Sequence, residues 1–461
     1  IFTNPDMIHI GILGAHERWA RFLRNLRFVV VDECHYYRGV FGSNVALILR
    51  RLRRICARYG ASPTFVLASA TTSAPGAAAS RLVGAPCTEV TEDGSPHGPR
   101  TVALWEPPLL KEITGENGAP VRRSAGAEAS RIMADLMVEG ARTLTFVRSR
   151  RGAEVTALGT QRLLAEVDRD LPGRVAAYRA GYLAEDRRAL EANLSDGTLL
   201  GVATTNALEL GVDIAGLDAV VVAGFPGTVS SFWQQAGRSG RRGEGSLVPL
   251  VARDDPLDTY LVHHPAALLD KPIEATVTDP TNPYLLAPQL LCAAAELPIT
   301  FAEADELEAE TVLTALAADG LLRRRPHGWF ITPEGQKYAP HASVNIRGGT
   351  GTQVAIVDGE SGRMLGTVDS GKAPATVHPG AVHIHQGESF VVDELDLEDG
   401  LALVYPEHPD WNTSARETTD IAITAVHSER TLGDVRIALV QVNVTHQVIG
   451  YLRRLHSGEI L

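Results

Sequence analysis

Over the first 250 positions of this 461-residue chain, short apolar runs alternate with stretches of helical periodicity. Phe28-Val29-Val30-Val31 is a continuous run, the pattern of a parallel strand buried on both faces. From Asn44 to Tyr59, Val45, Leu49, Leu52 and Ile55 recur at helical spacing, and Arg50, Arg51, Arg53, Arg54 and Arg58 fill much of the remainder. Thr64–Ala68 repeats the strand pattern, and strand, helix, strand in succession predicts a parallel α/β sheet. Five further strands are predicted at Thr143–Val147, Arg174–Tyr178, Leu199–Ala203, Ala219–Ala223 and Ser246–Leu250. After residue 253 the pattern fades into a Pro- and Asp-punctuated connection. Residues 283–340 then read as two or three helices followed by a small hairpin, a winged-helix order. Residues 341–461 alternate apolar and polar positions between turn clusters such as Asp358-Gly359-Glu360-Ser361-Gly362, a β-rich pattern.

The expected organisation is therefore a partial α/β domain at 1–90, a linker at 91–125 and a complete α/β domain at 126–252. A connector at 253–282, a winged-helix-like module at 283–340 and a β-rich accessory domain at 341–461 follow. Composition fits this picture: 44% hydrophobic and 21% charged residues exclude a disordered chain, a collagen-like fibre and a disulfide scaffold. The net charge of −12 argues against a polyanionic partner only if it is evenly spread. It is not. From residue 280 onward there are 12 Lys and Arg against 24 Asp and Glu; the first 279 residues balance, and residues 1–60 hold ten Arg against four acids. The acidity thus belongs to the C-terminal third, and the net charge does not exclude a polyanionic partner for the first 279 residues. Cys34, Cys56, Cys87 and Cys292 are scattered, which fits a reducing compartment and offers no zinc-finger spacing. No apolar run suits a membrane span and no signal peptide is visible, so a cytoplasmic location is expected.

Several segments carry candidate chemistry. Asp32-Glu33-Cys34-His35 follows the first strand, where ligands of open parallel sheets bind. There an Asp can hold Mg²⁺ and the adjacent Glu can orient or deprotonate a water; a solvated acidic turn is the plainer alternative. Ser69-Ala70-Thr71 closes the next predicted strand and, alone, would read as a helix cap. Thr204-Thr205-Asn206 through Gly211-Val212-Asp213-Ile214 follows a later strand with hydroxyls and amides suited to phosphates. In Gln234-Gln235-Ala236-Gly237-Arg238-Ser239-Gly240-Arg241-Arg242, spacing by three points Arg238 and Arg241 from one helix face, and arginine donors suit developing charge on a γ-phosphate.

Taken in order with Thr3-Asn4-Pro5-Asp6-Met7, Phe146–Arg150 and Tyr178–Tyr182, these segments resemble superfamily 2 helicases, ATP-driven motors with two RecA-like domains. Their wording is similar to the RecQ-related DNA helicases of the MrfA and SftH kind. The resemblance implies a partial first RecA-like domain, a complete second one, a winged helix and a β-rich domain. It implies that Asp32 holds Mg²⁺, that Glu33 activates water, and that Gln234, Arg238 and Arg241 reach ATP, with Gly211 and Asp213 beside the nucleotide. His35, Ser69, Ala70 and Thr71 would couple hydrolysis to movement. Thr3, Asn4, Pro5, Ser149, Arg150, Thr204 and Thr205 would line the path of single-stranded or forked DNA, with 3′ to 5′ movement, a role in DNA repair and association with the nucleoid.

The sequence departs from this family in one respect. No phosphate-cradling G-x-x-x-x-G-K-[ST] precedes Asp32, and the first lysine is Lys111. Gly366–Ala373 is a near-match, but Ala373 lacks the hydroxyl that would bind Mg²⁺, and a Gly-rich hairpin turn explains it. Truncation at both ends is the expectation, with a cysteine cluster of the relatives absent, no zinc site in this stretch and poor ATP hydrolysis by the chain alone. His383 and His385, near His378, would share one face of a strand, read as solvent-facing polar positions with a metal pair as the alternative. Arg323-Arg324-Arg325 could touch a DNA backbone at the wing or serve structure. The rival functions are a non-catalytic nucleic-acid-binding module and an RNA helicase, which a 2′-hydroxyl preference would reveal.

Overall fold

The computed structural model describes residues 1–455 except 93, 95–97, 115–119, 210–213, 215–216, 241–244 and 349–352, with backbone only at 112–114. In chain order, the α/β portion comprises β1 (Phe28–Val31), α1 (Gly39–Arg58), β2 (Thr64–Leu67), β3 (Arg100–Trp105), β4 (Thr143–Phe146), α2 (Arg150–Ala165) and β5 (Val175–Tyr178). It continues with β6 (Gly201–Thr204), β7 (Ala219–Ala223), α3 (Val229–Ala236) and β8 (Ser246–Val251). The chain divides into two compact units, one of residues 1–125 and 209–349, the other of 126–208 and 350–461.

In the first unit β1 pairs in parallel with β2, and β8 pairs in parallel with both β3 and β7. The predicted strands fall within a residue or two of the observed ones. One expectation is overturned: β1 is not buried on both faces. Val31 faces the core, whereas Phe28 and Val30 are 64% and 67% exposed, as is Val66 of β2 at 47%. With β2 as its partner and α1 packed on one side, the other side of this two-stranded sheet is open. An apolar run cannot reveal which of its faces is covered.

The winged helix follows in the same unit: α4 (Pro283–Glu296), α5 (Phe301–Glu306), α6 (Glu310–Ala318) and the antiparallel β9 (Leu322–Arg325) and β10 (Gly328–Ile331). A capping box of Thr300 and Glu303 starts α5. Leu290, Leu291, Leu313, Leu322 and Trp329 form its core, and Leu47 of α1 joins them.

Beneath that apolar contact lies a charged one. Arg51 of α1 is buried, and its guanidinium donates to the Glu296 carboxylate at the end of α4 (Nε to Oε1, 3.0 Å) and to Gln289 Oε1 at 2.6 Å. His9 Nδ1 lies 3.1 Å from Arg51, and His341 Nε2 lies 2.9 Å from the same Glu296 oxygen. Gln289 in turn donates to Asn44, which donates to the Ile346 carbonyl. Burial would raise the Glu296 pKa, but Arg51 and His341 outweigh it and hold it at about 2. Burial first, then Arg51, keeps His9 neutral with a pKa of about 4.

In the second unit β8's counterparts β4, β6 and β5 are joined as parallel pairs, with β6 between the other two. The β-rich region is a five-stranded sheet: β11 (Gln353–Asp358), β12 (Met364–Asp369), β13 (Val382–His385), β14 (Glu388–Asp396) and β15 (Leu401–Pro406), in the order β12-β11-β15-β14-β13. The near-match to a P-loop is not the expected hairpin turn: it begins on β12 and runs into a four-residue helix, Ala373–Thr376, whereas the turn joining β11 to β12 lies before Met364. A Cβ on Gly366 would stand 2.0 Å from the Gly181 carbonyl, so the sheet meets the Tyr178–Tyr182 segment backbone to backbone. Here too a buried pair anchors the module. The Glu154 carboxylate accepts from Arg179 Nε (2.8 Å), the Tyr182 hydroxyl (2.5 Å) and the amides of Gln386 and Gly387. His383 and His385 are not solvent-facing: His385 is 3% exposed with its ring edge-on to Tyr182. Burial, then Arg179, lowers both imidazoles, to about 3 and about 4. Among the described residues no three metal-ligating side chains converge.

The chain ends in a long hairpin, β16 (Trp411–Leu432) and β17 (Val435–Leu455), which pair only with each other among the described strands. Ile421, Ile423, Leu432, Val435 and Leu439 along it are all more than 60% exposed. Among the described residues no helix is long and apolar enough to cross a membrane.

Arg51→Met should lower the unfolding free energy by about 3–5 kcal/mol, because it leaves the Glu296 carboxylate buried without its partner. The double change Arg51→Met, Glu296→Leu should recover much of that loss in urea unfolding. His9, depressed when folded, binds its proton more readily when unfolded. Stability should therefore fall as pH drops from about 6.5 towards 4, by about 1–2 kcal/mol at pH 5, and less so in His9→Gln.

Candidate active site

The loops after β1 and β2 are tied together, Cys34 donating its amide to the Ala68 carbonyl at 2.9 Å. Asp32 is exposed at the strand end, and its Oδ1 accepts from the Glu33 amide at 2.9 Å. Glu33 adopts a left-handed conformation (φ 48°), uncommon for a residue with a side chain, which turns the chain sharply into His35. Burial and then the charge of Asp32 push the Glu33 carboxyl pKa up, against the pull of Arg238.

His35 is buried, with Nδ1 3.0 Å from Ser69 Oγ and Nε2 against the side-chain amide nitrogen of Gln234. The same Gln234 nitrogen donates to Thr71 Oγ1 at 2.7 Å, and the Ser230 hydroxyl donates there too, at 2.9 Å. This network fixes a proton. Gln234 offers N–H to both neighbours, so His35 Nε2 accepts and Nδ1 carries the hydrogen toward Ser69. A neutral imidazole is what burial and the nearby Arg38 favour, both lowering its pKa. Thus His35, Ser69, Thr71 and Gln234, four of the residues singled out from the sequence, form one hydrogen-bonded chain; Ala70 lies in its loop.

Helix α3 presents Gln234 to that chain, and three further residues position it. Thr228 caps its first turn by accepting from the Ser231 amide. Glu274 caps it from outside, accepting from the amides of Val229 (2.6 Å) and Ser230 (3.1 Å). Burial opposes the charge on Glu274, but these amides and Arg38 prevail and its pKa falls. Glu209 holds the inner side, its carboxylate accepting from Ser231 Oγ (2.7 Å) and Gln235 Nε2 (2.9 Å). Glu274 belongs to the 253–282 connector, whose next residues reach α1: the Val277 carbonyl accepts from Gly39, and Asp279 donates to Ser43. Glu209 sits inside a flagged segment, whereas nothing in the sequence singles out Glu274.

Arg238 does not lie on a helix as predicted. Helix α3 ends at Ala236, Gly237 begins a turn, and Arg238 lies beyond it. Arg238 is buried and its Nε donates to the Glu209 carbonyl at 3.0 Å. Burial lowers its pKa, with Glu33 and then Glu209 opposing. Arg241, Gly211 and Asp213 lie outside the described residues.

The residues expected along a nucleic-acid path are distributed over both units. In the first, Asn4 caps a short turn by accepting from the Met7 amide, with Thr3 exposed before it and Pro5 after. In the second, Ser149 caps α2, accepting from the Gly152 amide at 2.9 Å, and Arg150 is exposed. Thr204 is wholly buried and Thr205 is 6% exposed; their hydroxyls bond locally, to the Thr205 carbonyl and from the Ala207 amide.

Comparison with known proteins gives this geometry a lineage. Residues 1–78 match the DEAD/DEAH box helicase model, 128–243 the helicase conserved C-terminal domain, and 278–349 the winged helix domain of ATP-dependent helicase HRQ1. The chain is 35% identical over 434 residues to the ATP-dependent helicase YprA of Bacillus subtilis, covering 92% of this chain and 56% of that one. It is 36% identical over 469 residues to HRQ1 of Saccharomyces cerevisiae, covering 98% and 42%. The DUF1998 helicase MrfA bound to DNA superposes with a TM-score of 0.89 at 33% identity, covering all of this chain and 61% of that one. Its form bound to DNA and AMPPNP gives 0.87. The chain thus spans about half the length of the curated relatives it matches. It carries the two helicase domains and winged helix of superfamily 2. Within that class it belongs to the MrfA/HRQ1 type.

The His35 imidazole should titrate below its ordinary value of about 6.5. Histidine NMR of the chain checks this, and Gln234→Leu should shift the His35 signals while leaving those of His446 on the hairpin in place.

Proposed function

We propose that the chain is the motor-bearing part of an ATP-dependent DNA helicase or translocase, moving 3′ to 5′ on single-stranded or forked DNA in the service of repair, at the nucleoid. The observation that carries this reading is Gln234, whose amide bridges His35 and Thr71. Segments after β1, after β2 and on α3 thereby become one device, as a motor needs if ATP chemistry is to move domains. That MrfA is described as bound to DNA, and to DNA with AMPPNP, favours DNA over RNA.

In this reading the exposed Asp32 carboxylate would hold Mg²⁺, which when bound neutralises charge on the phosphate oxygens. The donor set suits it: a hard cation takes carboxylate oxygen, and among the described residues only one Asp32 oxygen is engaged, by a single amide. Glu33, with its raised pKa, takes the proton of the attacking water. Gln234, Arg238 and Arg241 reach the nucleotide, with Gly211 and Asp213 beside it, and the Arg238 guanidinium supplies donors to developing charge. Ser69, Ala70, Thr71 and His35 relay the nucleotide state. Thr3, Asn4, Pro5, Ser149, Arg150, Thr204 and Thr205 flank the strand. The division into domains at 1–90, 126–252, 283–340 and 341–461 is part of the same proposal.

In the complete protein carrying this chain, Glu33→Gln should slow DNA-stimulated ATP hydrolysis by about 10²–10⁴-fold while nucleotide binding persists. Gln234→Ala should lower the DNA stimulation more than the basal rate. Unchanged stimulated turnover in both variants would sink the reading. The 461-residue chain by itself has no P-loop before Asp32 and should turn ATP over poorly; a rate near that of an intact relative overturns that expectation.

A further inference from the structure

The acidic excess of the C-terminal third is not uniform. Residues 341–410 hold three basic against eleven acidic side chains, whereas the hairpin, 411–455, holds five basic against four acidic. Its base is more one-sided still. Arg453 and Arg454 lie there, and Arg151, the second residue of α2, reaches them, donating to the Thr413 carbonyl at 2.8 Å. Among the described residues none of these three arginines has a carboxylate partner. Arg454 lies on the opposite strand face from Arg453, and it is Arg151 that it affects: burial and then the charge of Arg454 lower the pKa of Arg151.

Aromatic surface is interleaved with this charge. Ladder register sets Thr413 opposite Arg453, Ala415 opposite Tyr451 and Trp411 opposite Leu455, so Trp411, Tyr451 and Arg453 share a face. The Arg453 guanidinium lies 5.2 Å from the Trp411 ring centroid and 5.8 Å from that of Tyr451. His378 stacks on Tyr451 at 4.6 Å, with planes 28° apart. Tyr451 is 37% exposed and Arg453 and Arg454 are exposed. The charges of Arg151 and Arg454, without a carboxylate partner among the described residues, repel one another, and a polyanion relieves that repulsion; the flat rings beside Arg453 offer stacking to bases.

We infer that the hairpin base, Arg151, Arg453 and Arg454 with Tyr451 and Trp411, is a further binding site for single-stranded nucleic acid, engaging its phosphates and stacking on a base. It adjoins Ser149 and Arg150 in sequence, so it extends the strand path onto the accessory region. This site rests on the nucleic-acid reading above and adds residues to it.

The test is the salt dependence of binding of a fluorescein-labelled oligonucleotide to the whole chain, by anisotropy. Arg454→Gln removes an exposed side chain with no hydrogen bond among the described residues and should leave folding intact. It should make the slope of log affinity against log salt shallower by about 0.7, and the triple change R151Q/R453Q/R454Q by about 2. Tyr451→Ala should weaken binding at every salt concentration without changing the slope. The control R430Q/R436Q, at the far end of the hairpin, should keep the parental slope. A parental slope in both Arg454→Gln and the triple variant overturns this site, as does an equal loss in the control. No binding by the unaltered chain would instead defeat the nucleic-acid reading itself.

Discussion

A guanidinium buried against a buried carboxylate has little freedom, and two such pairs fix both appended modules to the α/β portion. Arg51 meets Glu296 in one unit; Arg179 meets Glu154 in the other. Each pair joins an element of the α/β portion to a module that follows it in sequence, directly in the first case and through the Gln386 and Gly387 amides in the second. A hydrophobic contact alone tolerates sliding. A desolvated ion pair with further donors aimed at it has one good arrangement, so each junction behaves as a rigid weld.

The consequence for the candidate site follows from where Arg51 lies. Helix α1 begins just after the Asp32–His35 loop, its first turn is held by the Val277 and Asp279 backbone, and its middle is fixed to the winged helix. The connector that reaches α1 also supplies Glu274 to the start of α3. Gln234 is thus positioned by a strap that holds the start of α3, which carries it, and the first turn of α1, which follows the His35 loop. The network around His35 depends on this strap as much as on the motif residues themselves.

Much of this was legible in the sequence, for identifiable reasons. Uninterrupted apolar runs located the strands because parallel strands bury their residues with little regard to periodicity. The strand-end segments were legible because ligand sites of such sheets gather there, and His35, Ser69, Thr71 and Gln234 do meet. What was hidden depends on partners distant in the chain. Phe28 and Val30 look like core until the open face beside β2 is seen. Arg51 is one of five arginines on α1, and only the fold distinguishes the buried one from its neighbours, of which Arg50, Arg53 and Arg54 are partly buried and Arg58 is exposed. His385 alternates as a surface residue would, yet Tyr182 and Arg179 cover it. Arg238 was assigned to a helix that Gly237 ends, and Glu274 acts through backbone amides, which leave no trace in composition.

The hairpin has a mechanical consequence. At about 3.3 Å per residue its 22-residue strand reaches about 70 Å, so a turn of about 5° at its base sweeps the tip through about 6 Å. Its root is gripped by Arg151 on α2, one position beyond Arg150. Any small tilt of α2 is therefore geared up into a displacement at Gly433 larger than the width of a β-strand. The hairpin is a lever whose fulcrum is the second helicase domain.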